Sequence, residues 1–215
     1  MALRAVILDM DGVVVDSEHQ WMLAEGSFMR ALVGKWAKKD HYRAVGMGVS
    51  DAYRLLVREY GLKMTLKKFS ERSDKLAEEI YSSRVSLTPD LRRFIAAARR
   101  REIPLALASC SPKNWVDMVL KRFRLRSDFT VIVTADDVRR TKPAPDIYLL
   151  AARKLEVKPQ DCLAIEDSSL GVRSAKAAGM TCIGLRTGFN EEQDLSKADQ
   201  EVQGFGFLTQ SKVKT

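Results

Sequence analysis

The sequence predicts an α/β fold: a parallel sheet core with an inserted α-helical domain. Three observations carry that prediction. Five short runs, AVIL (5–8), PLALA (104–108), TVIV (130–133), CLAI (162–165) and TCIGL (181–185), are strand-length and apolar throughout. Unbroken apolarity suits strands covered on both faces. The last four runs alternate with helix-like segments, the pattern of a parallel sheet flanked by helices. Residues 17–86, between the first and second runs, hold helical patterns and no convincing strand.

The elements follow in order. The first run ends in Asp9-Met10-Asp11-Gly12. Helical spacing then covers 18–33, 50–60 and 67–82, and in the last of these Phe69, Leu76 and Ile80 keep a helical period. That is too much helix for a simple crossover, so 17–86 is read as a separate helical unit inserted into a core of 1–16 and 87–215. LTPD (87–90) marks the return to the core, and Leu91–Arg101 is its crossover helix. Trp115–Phe123 leads to the third run. Pro145–Leu155 leads to the fourth, with its proline near the first turn. Leu170–Ala178 leads to the fifth, and Gly179 is a suitable stop. The tail GFGFLTQSKVKT (204–215) reads as a short strand with a frayed end, or as a contact segment.

With 215 residues, 46% apolar and 30% charged, the chain can bury one full core with an insertion. The formal charge of +8 attracts anions: nucleic acid, an acidic membrane or phosphorylated metabolites. The basic clusters RRR (99–101) and KWAKKDHYR (35–43) are expected to be solvated surface rather than a nucleic-acid face. RRR closes a predicted helix, where cations suit the dipole. Cys110, Cys162 and Cys182 form no CxxC pair and lie in apolar stretches, so buried, reduced thiols are expected. No leader pattern precedes the first strand, and no apolar run is long enough to cross a bilayer. A cytoplasmic protein without a membrane or nucleic-acid partner is expected. Oligomeric state leaves no mark in the sequence.

In an open parallel sheet, ligands bind outside the carboxyl ends of the strands. Four sets of polar residues follow the runs there: Asp9 and Asp11; Ser109, Cys110 and Ser111; TKPAPD (141–146) with Lys142; and Glu166-Asp167-Ser168. Carboxylates brought together repel one another unless a cation neutralises them. All-oxygen ligands beside an open position suit Mg2+, and His19 and His41 are too few for a zinc cluster. Lys142 and Ser109 then suit the oxygens of an anion, and phosphate is the anion that wants both a metal and a lysine. Gly12 allows a sharp turn, so Asp9 and Asp11 can differ in aim.

DMDG after the first run, a serine after the second, KPAPDIY before a helix and EDS after the fourth resemble the haloacid-dehalogenase superfamily. The nearest branch is that of the phosphatases and β-phosphoglucomutases, which carry a helical cap after the first motif. The resemblance implies a Rossmann-like core with 17–86 as the cap. It implies Asp9 as a nucleophile forming an aspartyl-phosphate. Asp11 would protonate the leaving alcohol and then activate water. Mg2+ would be held by Asp9, the Asp11 carbonyl and Asp167, with Glu166 nearby. Ser109, Cys110 and Lys142 would surround the phosphoryl oxygens. Asp16 is expected to serve the start of the cap linker through hydrogen bonds to backbone.

The cap should choose the substrate. Candidate contacts are His19, Trp21, Gly46, Gly48 and Ser50 from the cap and Ser111, Lys113 and Asn114 from the core. Mutases of the branch show a histidine where this chain has Trp21, and an arginine where it has Asp51. Those departures favour a phosphatase for a small sugar or polyol phosphate over a phosphoglucomutase. A regulatory or binding protein on a degenerate site is the reading from another class, and intact Asp9, Asp11, Lys142 and Asp167 weigh against it.

Overall fold

The computed structural model describes residues 3–206. Six strands form one all-parallel sheet in the order β5-β4-β1-β6-β7-β8. They are β1 (Ala5–Leu8), β4 (Leu105–Ala108), β5 (Val131–Val133), β6 (Cys162–Glu166), β7 (Thr181–Arg186) and β8 (Gln200–Gln203). All five apolar runs became strands. β8 is the one the sequence hid. It is an edge strand in which only Val202 is buried, so QEVQ carries no apolar run. The tail reading beyond Phe205 and Gly206 lies outside the described residues.

Side chains of each strand alternate between two cores. Val6, Leu8, Leu105, Leu107, Leu163 and Ile165 face one side, against α5 (Leu91–Arg100) and α6 (Lys113–Phe123). Ala5, Ile7, Ala106, Ala108, Cys162 and Ala164 face the other, against α7 (Asp146–Lys154) and α8 (Ser169–Ala177). Both faces are covered, which is why the strands read as unbroken apolar runs. All three cysteines are buried and free, as expected.

The inserted helices are α1 (Glu18–Val33), α2 (Lys38–Ala44), α3 (Val49–Tyr60) and α4 (Leu66–Glu79), the last continuing into a π-helical turn at Ile80–Arg84. Their own core gathers Met29, Trp36, Leu56, Leu62 and Phe69. Two short strands, β2 (Val15–Asp16) and β3 (Ser86–Leu87), pair antiparallel where the chain leaves and re-enters the sheet unit. Both fall below the length that a sequence pattern reveals. The basic residues of the 35–43 cluster, Lys35, Lys38, Lys39 and Arg43, are exposed, as their reading as solvated surface expects. From Lys38 on the cluster forms α2, and between its exposed cations Trp36, Asp40 and His41 are buried. Its charge count masked an amphipathic turn. RRR does close α5, with Arg99 bridged to Asp128 at the surface. Among the described residues no helix is long and apolar enough to cross a membrane.

The topology places the site. From β1 the chain goes to β4 and β5 on one side, then crosses to β6, β7 and β8 on the other. The crossovers diverge around β1, and the carboxyl end there is a natural crevice.

Candidate active site

Asp9 follows β1, and its amide donates to the Ile165 carbonyl at 3.1 Å, which extends the β1–β6 ladder by one bond. Its carboxylate pairs with Lys142, whose Nζ also lies 2.6 Å from Glu166 Oε1 and donates to the Ala108 carbonyl at 3.1 Å. Lys142 thus reaches three strand ends from the loop before α7. Burial alone would lower its pKa, but Asp9 and Glu166 outweigh that and hold the ammonium well above the usual lysine value. Glu166 is fully buried and also accepts from the Tyr148 and Ser168 hydroxyls.

Asp9, Glu166 and Asp167 each bring a carboxylate oxygen within 4.8 Å of the others. Burial pushes Asp9 up to about 7, with Lys142 pulling down and Glu166 and Asp11 pushing up. Asp167 is held well above the usual carboxylate range by burial, then by Glu18, Asp9 and Glu166. Its Oδ2 is buried with no hydrogen-bond partner among the described residues. An orphaned carboxylate oxygen inside an acidic cluster is an energetic defect that a hard cation removes, so this donor set fits a divalent ion such as Mg2+. Gly12 makes the cluster possible. Its φ is +73°, and a Cβ there would lie 1.9 Å from Asp167 Oδ2.

Asp11 aims elsewhere. Its Oδ1 accepts from Ser17 at 2.7 Å and from the Tyr81 hydroxyl at 2.6 Å, and its Oδ2 accepts from Ser111 at 2.9 Å. Tyr81 comes from the π-helical turn that ends the insertion. Burial and then Asp11 hold its phenol well above the usual tyrosine value, so it remains a donor. One carboxylate faces lysine and the acidic cluster, and the other is fixed by three hydroxyls.

These groups open into a cavity between the sheet unit and the inserted helices, which Asp9, Asp11, Trp21, Ser109, Trp115 and Lys142 help to line. Its empty space, with the open mouth counted, is about 820 Å3.

Residues 3–179 match the family model of the haloacid dehalogenase-like hydrolases. The chain belongs to that family. It is 30% identical over 197 residues to a phosphorylated carbohydrates phosphatase of Thermotoga maritima, with 91% of each chain covered. It is 32% identical over 183 residues to hexitol phosphatase B of Escherichia coli K12, covering 84% of this chain and 82% of that protein. Among solved structures, CbbY from Rhodobacter sphaeroides in complex with phosphate superposes with a TM-score of 0.83 at 26% identity, and 96% of each chain is covered. The fold is thus the capped α/β fold of the haloacid dehalogenase-like phosphatases, and the chain is a hydrolase of that phosphatase type.

The expected site residues fall into two groups. Asp9, Asp11, Ser109, Cys110, Ser111, Lys142, Glu166 and Asp167 come together at the carboxyl ends of β1, β4 and β6. Ser109 Oγ accepts from the Ser111 amide at 3.0 Å. Cys110 keeps its proton, since burial pushes its thiol up to about 12. Trp21 lines the cavity, donates to the Tyr81 hydroxyl at 3.2 Å and stacks on Trp115. Gly48 and Asn114 lie in an adjoining cleft between cap and core, where Asn114 bonds Asp74 at 3.2 Å.

The structure departs from the sequence reading at three positions. Lys113 starts α6 facing outward, paired with Asp117 one turn on, and lines neither space. His19 leaves the cavity to stack on Phe189, with ring centroids 4.4 Å apart. Asp16 pairs its backbone across β2–β3, but its Oδ1 is buried without a partner among the described residues. Ser17, Tyr81 and the pair Glu25 and His41 were missed. Ser17 had a readable signal, a hydroxyl one residue past the acidic motif. Tyr81 had none, because its contact spans 70 residues of sequence.

Proposed function

We propose that the protein is a Mg2+-dependent phosphatase that hydrolyses a small phosphate monoester, a sugar or polyol phosphate, through an aspartyl-phosphate intermediate. The observation that carries this reading is the division of labour between Asp9, set beside Lys142 and two further carboxylates, and Asp11, held by three hydroxyls. The names of the curated relatives point to the same substrate class.

Asp9 attacks phosphorus, and the bond from phosphorus to the ester oxygen breaks. Asp11 gives its proton to that oxygen, and the alcohol leaves. Asp11 then takes a proton from water, which attacks the acyl phosphate, frees inorganic phosphate and restores the Asp9 carboxylate. Ser109 and Lys142 bind the phosphoryl oxygens, so the charge of Lys142 is already in place as the group transfers. Asp9, Asp167 and the Asp11 carbonyl would hold Mg2+, with Glu166 near it. When bound, the ion would supply charge that offsets the transferring group and would favour the ionised form of Asp9 despite its burial. The three buried thiols fit a reducing, cytoplasmic setting.

The test is phosphate release from sugar, polyol and nucleotide monophosphates, with and without Mg2+. Wild type should turn over one group with metal only, and Asp9→Asn, of nearly equal volume, should be folded and inactive. An active Asp9→Asn enzyme, or activity that survives thorough chelation, would sink the mechanism. Conversion of β-glucose 1-phosphate in the presence of the bisphosphate, without phosphate release, would make the protein a mutase instead.

A further inference from the structure

Two ionisable side chains of the cap take no part in the reaction above. Glu25 of α1 and His41 of α2 are only 9% and 6% exposed. They bond to each other through Glu25 Oε2 and His41 Nδ1. Both line the cavity that holds Asp9, Asp11 and Lys142. The second carboxylate oxygen of Glu25 and the second ring nitrogen of His41 make no further hydrogen bond among the described residues, yet neither is sealed from the cavity.

Helix α1 explains the placement. Glu18, Trp21, Glu25 and Phe28 recur at helical spacing and line the cavity along one stripe. Glu18 stands close enough to Asp11 and Asp9 to be pushed up by them, after burial itself. Glu25 lies two turns on, about 10 Å along the axis. Met29, Val45, Phe69 and Ala52 form apolar wall at that far end. Glu25 and His41 set a carboxylate and an imidazole into that apolar wall.

We propose that Glu25 and His41 are the specificity pair for the organic half of the substrate, and that they accept a hydroxyl of a neutral sugar or polyol chain. This rests on the phosphatase reading. The bond between them uses one Glu25 oxygen and His41 Nδ1, which leaves the other Glu25 oxygen as an acceptor and the second ring nitrogen of His41 as a polar partner. A hydroxyl suits such a pair, because it can donate to the carboxylate oxygen and either donate to or accept from the ring nitrogen. The C–H face of the same chain packs on the aromatic wall formed by Trp21 and Phe28. The substrate class is then a monophosphate whose end remote from phosphorus carries a hydroxyl.

The test compares ribose 5-phosphate, glucose 6-phosphate and sorbitol 6-phosphate, each beside its singly deoxygenated counterparts. Rates are normalised to p-nitrophenyl phosphate, which has no such hydroxyl. In wild type, removal of one particular hydroxyl should raise KM by about tenfold or more, because it leaves the polar pair without its partner. In Glu25→Gln, which nearly preserves volume, and in His41→Gln, that preference should collapse. Indifference of wild type to every deoxygenation overturns the proposal without needing a variant. A variant that keeps the wild-type preference overturns it too. Failure of the phosphatase reading looks different, since no ester, p-nitrophenyl phosphate included, would release phosphate. Calorimetric binding of the same esters to Asp9→Asn, with and without Glu25→Gln, then reads the pair in the absence of turnover. A preference for that hydroxyl that disappears with Glu25→Gln supports the pair, and one that persists overturns it.

Discussion

Lys142 holds the balance of charge at the residue scale. It is buried between two carboxylates, so its removal leaves Asp9 and Glu166 uncompensated. Lys142→Met should abolish activity and cost about 3–5 kcal/mol of stability, the usual cost of breaking a buried pair from one side. Chemical denaturation of the metal-free protein measures it, and an unchanged midpoint would refute it. Gly12 is the second sensitive residue. Gly12→Ala meets both a positive φ and the Asp167 carboxylate, so metal-dependent activity should vanish, with about 1–3 kcal/mol of added strain. A Gly12→Ala enzyme that still answers to metal would contradict the packing described.

At the scale of elements, the cap meets the core across close contacts. Gly48, just ahead of α3, approaches the core so nearly that a Cβ would lie 3.1 Å from the Cys110 carbonyl, a backbone atom with little room to give. Gly48→Val should therefore hold the cap away from the sheet unit. We expect kcat/KM to fall by about tenfold or more with a small change in Tm, because each unit keeps its own core. Equal activity of variant and wild type would show that closure tolerates the extra bulk. The π-helical turn carrying Tyr81 acts at the same scale. It lies one residue before β3, so the rejoining of cap and core also sets a hydroxyl against Asp11.

For the whole molecule, metal and proton compete for one acidic cluster. The folded pKa of Asp9 is raised from 3.8 to about 7, so between those values the folded protein binds more protons than the unfolded chain. Stability of the metal-free protein should then fall as pH rises through that window. Mg2+ binds the ionised form and should restore it, by about 2.7 kcal/mol at a hundredfold excess over Kd. Thermal melts with Mg2+ and with chelator, taken across that window, should show a gap in Tm that widens with pH. A constant gap, or none, would remove the metal from this cluster.

The sequence by itself determined the five core strands, because strands covered on both faces must be apolar throughout. It also determined the acidic and hydroxyl positions at their ends, because each lies within a few residues of a run whose direction the parallel sheet dictates. Short-range patterns reach that far. Only the tertiary structure decided that Lys142 sits between Asp9 and Glu166, that Tyr81 and Ser111 hold Asp11, and that Lys113 and His19 turn away. It alone brought Glu25 and His41 together, one from the segment of helical spacing at 18–33 and the other from the basic cluster at 35–43. The reason is physical: these contacts join residues far apart along the chain, whose approach depends on how helices pack and where the cap docks. A local pattern of charge and apolarity carries no record of either.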